Sequence, residues 1–183
     1  MKPLQLVMAP SPIFKSKAAQ VLEVNDEIRQ LMDSLLDTIY YEQAVGIAAT
    51  MVGILKRVVV IDLQVNGEKA PLFMANPEII ESSNTTQTFS EGSLCFPGIT
   101  ADITRPAQIK AKYIDYNNNP QTIDADGFLS TCIQHEIDYL NGKIFLDYLT
   151  GVKKDVLLRK MQKYKKKFEN HHHHHVHSES CNH

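Results

Sequence analysis

An apolar helical stripe and a β-branched run follow each other early in the chain, and together they restrict the fold more than any other feature. Over residues 28–40 apolar side chains recur at steps of three and four, which is typical of an amphipathic helix. Asn25 or Asp26 can cap this helix, which we expect to end near Tyr41. Residues 57–63 are then largely β-branched and predict a short buried strand. A helix packed on a sheet indicates the α+β class.

The composition is that of one soluble globular domain. The chain has 183 residues, of which 43% are hydrophobic and 22% charged, and this excludes a disordered or collagen-like chain. No stretch approaches the ~18 apolar residues of a spanning helix, and no secretory signal is visible at the start. The three cysteines (Cys95, Cys132 and Cys181) form no CxxC pair. We therefore expect free thiols, a cytoplasmic protein and no membrane partner.

The rest of the chain predicts two more strands and two more helices. These are strands over residues 71–80, interrupted at Pro77, and 108–116, and helices over residues 127–140 and 153–168. Asn141-Gly142 ends the first of these helices, since glycine suits the left-handed position after a helix. We predict one domain over residues 1–169, including the basic C-terminal helix, and a disordered His-rich tail or tag over residues 170–183.

Charge and histidine are distributed unevenly along the chain. From Gly151 onward eight Lys and Arg residues face three Asp and Glu, whereas the preceding part has 11 basic and 18 acidic residues. Seven of the eight histidines lie in the tail, so His135 is the only one in the body. Any chemistry of the body that needs an imidazole must therefore use His135.

His135 and Glu136 lie within the second predicted helix, in the order that begins an HExxH zinc motif. Such a motif places two ligands four residues apart on one helix face, and its glutamate serves as a general base. Here the fourth following position is Tyr139 instead of histidine. Taken alone, this pair also fits a structural histidine.

Two further segments make the pair more informative. Residues 45–53 (VGIAATMVG) and residues 91–98 (EGSLCFPG) precede the helix in the order and spacing of the peptide deformylase family. The three segments together resemble that family's signature, and the resemblance extends from about Met8 to Tyr148. It implies a compact α+β fold with antiparallel or mixed sheets around a central HExxx helix.

The resemblance also implies a chemistry. In active members two histidines of the helix and a cysteine of the second segment bind Fe²⁺ or Zn²⁺. The metal lowers the pKa of its bound water to about 7, and the hydroxide attacks the formyl carbon of an N-formylmethionyl peptide. The motif glutamate moves the proton, while a glutamine of the first segment and a backbone amide hold the oxyanion.

Matched position by position, the sequence departs from the family where this chemistry is most demanding. The cysteine ligand position is Ser93, the second histidine position is Tyr139, and the oxyanion glutamine position is Met51. A neutral hydroxyl is a poor ligand beside a thiolate, and a phenol must lose a proton with a reference pKa near 10. Met51 has no N–H to donate. Cys95 follows Ser93 by two residues, on the same side if the segment is extended.

Other positions of the motifs persist. His135 is the retained ligand position and Glu136 the general acid/base position. The resemblance assigns substrate contacts to Val45, Gly46, Gly92, Leu94 and Cys132. It also predicts a structural ion pair between Glu91 and Arg105.

The expected function is a peptide deformylase-like protein with little or no deformylase activity and no required cofactor. The alternative is an active deformylase with Fe²⁺ or Zn²⁺ in an atypical site, with Cys95, His135 and a deprotonated Tyr139 as one ligand set. A serine–histidine hydrolase built on Ser93 and His135 is a third hypothesis. N-formylmethionyl nascent peptides are the expected partners, and the basic helix resembles extensions that dock on the ribosome.

Overall fold

The computed structural model describes residues 3–176, with side chains as far as Lys167. Its helices are α1 (Asp26–Tyr41), α2 (Gly127–Leu140) and α3 (Gly151–Val176). Its strands are β1 (Gly46–Ala48), β2 (Val58–Ile61), β3 (Leu72–Ser82), β4 (Thr86–Ser93), β5 (Phe96–Pro106), β6 (Gln108–Ile114) and β7 (Pro120–Asp126). The predicted α+β class is confirmed.

The strands form two antiparallel sheets. Five of them lie in the order β1-β2-β3-β6-β7, and β4 and β5 form a separate hairpin. The predicted strand at residues 57–63 is β2, which is fully buried and pairs with β1 on one side and β3 on the other. Its β-branched residues suit this interior position.

Helix α1 begins as predicted. The Asn25 side chain accepts a hydrogen bond of 3.1 Å from the Ile28 amide, and the helix ends at Tyr41. Its apolar stripe packs against the sheet, with Ile28, Met32, Leu35 and Ile39 buried. The polar cap and the apolar stripe therefore define this helix locally.

Helix α2 is the centre of the molecule. Ten of its fourteen residues are buried, because it contacts strands of both sheets. One of its buried polar groups is the Gln134 side-chain amide, which donates to the Pro106 carbonyl at 3.0 Å. This placement brings the His135–Glu136 pair between the sheet and the hairpin.

The structure adds strands that the sequence patterns did not indicate. Strands β4 and β7 carry polar residues and are mostly exposed, so they lack an apolar alternation. The strand predicted over residues 71–80 is β3, which runs through Pro77. Its pairing with β6 is interrupted there by a register shift between Ala75 and Glu78, since proline has no amide hydrogen to donate. Strands paired through backbone hydrogen bonds need no apolar pattern when they lie at an edge.

Helix α3 continues to Val176 instead of ending near Phe168. It is attached to the body at Met161, which is buried, and at Tyr164, which lies over Gly98. A Cβ at Gly98 would lie 2.5 Å from the Tyr164 ring, so this contact requires glycine. Of the predicted tail, residues 177–183 lie outside the described residues. Among described helices, none is long and apolar enough to cross a membrane.

Candidate functional site

A cavity of about 940 Å³ lies beside α2, between β1, the β4–β5 hairpin and the N-terminal segment. The residues to which the resemblance assigned substrate contacts all line it: Val45, Gly46, Gly92, Leu94 and Cys132. Ser93, Met51, His135 and Glu136 line it as well. The three sequence segments therefore meet at one concave site, which is where binding sites usually form.

The sequence patterns did not identify all of the wall. Met8, Tyr41 and Phe128 also line the cavity, and each exposes an apolar side chain. They come from the N-terminal segment, the end of α1 and the start of α2. No local signal distinguishes them, because only the tertiary fold brings these element ends together.

The His135 ring is held by a buried carboxylate. Its Nδ1 lies 2.8 Å from Glu91 Oε2, so its other nitrogen, Nε2, is the one not engaged by Glu91. Arg105 donates hydrogen bonds to both oxygens of the same carboxylate, from Nε to Oε1 at 2.6 Å and from Nη2 to Oε2 at 2.9 Å. The predicted Glu91–Arg105 ion pair is thus confirmed. A fork-shaped contact of this kind fixes the carboxylate, and the carboxylate fixes the imidazole.

This network continues to the far end of α2. Arg105 Nη1 also donates to Asp138 at 2.8 Å and to the Tyr148 hydroxyl at 2.9 Å. Burial would raise the pKa of Glu91, but hydrogen bonds from Arg105 and His135 outweigh it and lower that pKa. Glu91 is therefore an anion at neutral pH. Its role is to position His135.

The side chains at two of the predicted ligand positions bind each other. The Tyr139 hydroxyl donates to Ser93 Oγ at 2.7 Å, and the Cys95 amide donates to the same oxygen at 3.3 Å. The Tyr139 side chain is fully buried, and this burial raises its pKa well above the usual value near 10. The phenol thus keeps its proton and donates it to the Ser93 hydroxyl oxygen.

Cys95 is the cysteine of the atypical ligand set. It lies in the turn between β4 and β5, so the expected extended alternation from Ser93 does not apply. Its sulfur is directed at the Met51 carbonyl, 3.8 Å away, and Cys95 does not line the cavity. Burial raises the pKa of the thiol to about 12. In this position the Cys95 side chain packs against the Met51 backbone.

The oxyanion position is also altered. Met51 is buried in the cavity wall, and its sulfur accepts a hydrogen bond of 3.5 Å from the Ala48 amide. A thioether can only accept. Met51 therefore accepts a hydrogen bond at the position where the resemblance implies a glutamine that donates one.

Glu136 is a buried acid with one carboxylate oxygen that has no hydrogen-bond partner among the described residues. It is only 4% exposed, and that oxygen is Oε2. Burial raises the pKa of this carboxyl to about 7, against the opposing effect of His135 and Arg105. Gly46 makes room for it, since a Cβ there would lie 3.0 Å from Glu136 Oε1. A carboxyl with a pKa near 7 suits proton transfer.

The side chains present do not fit the metal that the family normally uses. Within the described part of the chain, no three His, Cys, Asp or Glu side chains are grouped closely enough to hold an ion. Of the three ligand positions, only His135 offers a good donor, because Ser93 and Tyr139 are neutral hydroxyls bonded to each other. Fe²⁺ and Zn²⁺ favour imidazole and thiolate ligands. The side chains at the ligand positions therefore do not suit Fe²⁺ or Zn²⁺, although the surrounding fold is that of the family.

The fold is that of solved peptide deformylases. Superposition on the crystal structure of peptide deformylase from Ehrlichia chaffeensis gives a TM-score of 0.86, with 34% sequence identity over 91% of this chain and 98% of that one. The family model of polypeptide deformylases matches residues 3–155. The chain belongs to the polypeptide deformylase family.

Two relatives from Rickettsia conorii show how the chain is placed within that family. It is 51% identical to a protein named peptide deformylase-like, over 98% of this chain and 96% of the relative. It is 42% identical to the same organism's peptide deformylase 1, over 88% of this chain and 96% of that relative. The greater similarity is to the relative whose name marks divergence.

Proposed function

We propose that this chain is a peptide deformylase-like protein that has lost all or nearly all deformylase activity and keeps the family's peptide cleft. The observation that carries this proposal is the 2.7 Å hydrogen bond between Tyr139 and Ser93, the two altered ligand positions. Each hydroxyl satisfies the other in a buried site, so neither is prepared to coordinate an ion. Its greater similarity to the relative named peptide deformylase-like supports the same conclusion.

The energetic argument has two parts. Full structural zinc sites contribute about 10–16 kcal/mol of binding energy, which one imidazole cannot approach. Loss of one oxyanion donor costs about 2.7–4 kcal/mol in a comparable hydrolase, and Met51 supplies no donor here. Without metal-bound hydroxide or a complete oxyanion hole, Glu136 has no nucleophile to activate.

The cleft itself is intact under this proposal. Its lining and its volume of about 940 Å³ suit the N-terminal residue of a peptide. N-formylmethionyl nascent peptides are the partners that the family implies, and the cytoplasm is the expected location. No cofactor is required for binding of this kind.

A second candidate is an active, metal-dependent deformylase with an atypical site. One observation favours it: Glu91 still orients His135, and Glu136 still has a pKa near 7. Both groups are arranged as a working site would need. Metal content and formate release separate the two candidates.

The experiment uses the full chain and a version that ends after residue 169, because histidines of the tail bind metal by themselves. We expect less than about one tenth of an equivalent of Fe, Ni or Zn in the shortened protein, since one imidazole holds such ions weakly. We also expect no formate release from formyl-Met-Ala-Ser in either version. About one equivalent of metal that disappears in His135→Ala, together with formate release, would establish the second candidate.

A further inference from the structure

Two Asn-Gly pairs occur in the chain, and the fold places them in opposite environments. In such a pair the backbone nitrogen that follows the asparagine reaches the side-chain amide easily, because glycine has no side chain to obstruct the approach. Asn66-Gly67 lies in the connection between β2 and β3, whereas Asn141-Gly142 follows α2. Since the two pairs have the same local chemistry, a difference in their reactivity must come from the fold.

The first pair lies in an exposed loop. Residues 65–70 are all exposed, and Val65 keeps 62% of its surface accessible. A Cβ built at Gly67 would meet no described atom within 4 Å other than those of its chain neighbours. The loop therefore has room for the Asn66 side chain to fold back on the backbone that follows it.

The backbone of this loop also opens easily. Its turn over residues 65–67 is closed by hydrogen bonds from the amides of Gly67 and Glu68, at 2.9 and 3.0 Å. Gln64 and Asn66 both have left-handed backbone conformations, with φ of 50° and 56°, which side chains other than glycine rarely adopt. A turn of exposed residues with two such bonds opens locally at little cost in free energy.

The second pair is held in place by two distant segments. Asn141 Oδ1 accepts a hydrogen bond of 2.8 Å from Arg57 Nη1. A Cβ at Gly142 would lie 2.7 Å from the Lys15 carbonyl oxygen, so the backbone of another segment packs directly on this glycine. Movement of the Asn141 side chain toward the Gly142 nitrogen would break these contacts. This pair is therefore an internal control for the first one.

We propose that Asn66 deamidates spontaneously through a succinimide in the folded protein, whereas Asn141 does not. The Gly67 backbone nitrogen attacks Asn66 Cγ; a C–N bond forms, and the side-chain nitrogen leaves as ammonia together with the proton of the Gly67 amide. Water then adds to either carbonyl of the ring and breaks its bond to nitrogen. The product is aspartate or isoaspartate at position 66.

This modification requires neither a cofactor nor a second protein. Asparagine is a thermally labile residue, and here the nucleophile belongs to the next residue of the same chain. A carboxyl group has a reference pKa near 4, so the loop between β2 and β3 gains one negative charge at neutral pH. The inference does not depend on the proposed function, because the loop contains none of the ligand positions.

The test is incubation of the full chain in heavy-oxygen water at mildly alkaline pH, followed by trypsin digestion in ordinary water and mass spectrometry. Trypsin cleaves after Arg57 and Lys69 and after Lys112 and Lys143, so the two asparagines lie in different peptides. Fragmentation assigns the label to a position, and the heavy oxygen marks only the products that form during incubation. We expect label at position 66 to accumulate at least tenfold faster than label at position 141.

The same incubation in concentrated urea supplies the unfolded reference. There the contacts of Asn141 are lost, and we expect the two positions to react at similar rates. Asn66→Gln is the matched variant, since glutamine would have to close a larger ring; label at position 66 should disappear while position 141 keeps its rate. The exposed position makes this variant harmless to folding, which circular dichroism checks.

Three results would overturn the inference. The first is equal labelling of the two positions in the folded protein. The second is no label at Asn66 in the folded protein over a time in which the unfolded chain reacts. The third is a preference for position 66 that is unchanged in urea, because the selectivity would then come from the neighbouring sequence and not from the fold.

Discussion

At the scale of single residues, and under the proposed function, Ser93 and Tyr139 stand at two ligand positions and bind each other, and Met51 places an acceptor at the position expected to hold a donor. The supporting contacts remain, because Glu91 still orients His135 at 2.8 Å. The groups that position His135 are thus present although the side chains at the other two ligand positions are hydroxyls.

This persistence predicts that the metal site can be restored. Ser93→Cys with Tyr139→His returns a thiolate and a second imidazole to a backbone that still holds His135. We expect about one equivalent of bound metal and measurable formate release from formyl-Met-Ala-Ser. Adding Met51→Gln should raise the rate by roughly 10²-fold, since it returns an oxyanion donor.

The control for this repair is Ser93→Cys alone, which has only two good ligands and should bind metal weakly. Elemental analysis and a formate assay give the readouts. A triple variant that is folded by circular dichroism and still binds no metal would show that the backbone no longer has the geometry of an active site.

At the scale of elements, the packing of α1 on the sheet includes one buried polar contact. The Tyr40 hydroxyl donates to Asp62 Oδ2 at 2.6 Å and so joins the end of α1 to the residue that follows β2. Asp62 also accepts from the amides of Gln64 and Ala70. Burial raises the pKa of Asp62, but these hydrogen bonds outweigh it, so the pKa is lowered. Burial and the Asp62 carboxylate together raise the pKa of Tyr40 to about 12.

The contact gives a pH-dependent stability. Tyr40→Phe should cost about 1.5–3 kcal/mol in the free energy of unfolding at pH 7, as loss of a hydrogen bond to a charged group does. The folded pKa of Asp62 is depressed, so its contribution is present above the unfolded value near 3.9 and is lost as the pH falls through the folded value. The cost of Tyr40→Phe should therefore shrink when urea unfolding is repeated below pH 4.

The matched control is Tyr41→Phe, at the next position, where the side chain is 70% exposed. It removes the same hydroxyl and should change the unfolding free energy by less than about 0.5 kcal/mol at either pH. An equal cost for the two variants, or a cost at position 40 that does not vary with pH, would count against the contact.

At the scale of the whole molecule, charge is divided between the body and its last helix. Residues from Gly151 onward carry eight Lys and Arg against three Asp and Glu, and the preceding part has the opposite excess. Helix α3 lies on the body through Met161 and Tyr164 and exposes Lys163, Lys166 and Lys167. Lys165 is different, because it donates to the Ala9 carbonyl. Any polyanion would meet the exposed lysines first.

We therefore predict that ribosome binding, if the family's docking role persists, goes through α3 and depends steeply on salt. Co-sedimentation of protein ending near Asn170 should fall sharply between about 50 and 200 mM salt, because binding releases counterions. Lys163, Lys166 and Lys167 changed to Glu should abolish it. The same number of charge changes on the exposed body residues Lys17, Lys69 and Lys112 should matter little. Pelleting that ignores the helix lysines would refute this role.

Local patterns were sufficient for the elements with a clear apolar period. Helices α1 and α2 and strand β2 were predictable because caps, β-branched runs and a terminal glycine act within a few residues. Strands β4 and β7 were not, because their polar side chains carry no period and their backbone pairing involves residues distant along the chain.

The same division holds for the site. The order of residues is enough to show which chemical groups stand at the motif positions, and that Ser93, Tyr139 and Met51 offer neither thiolate, imidazole nor amide donor. It does not show that Cys95 turns toward the Met51 carbonyl or that Glu136 Oε2 has no partner among the described residues, which depend on the folded chain. Donor and acceptor identity is a property of each side chain, whereas burial and partnership depend on which distant segments fold against it.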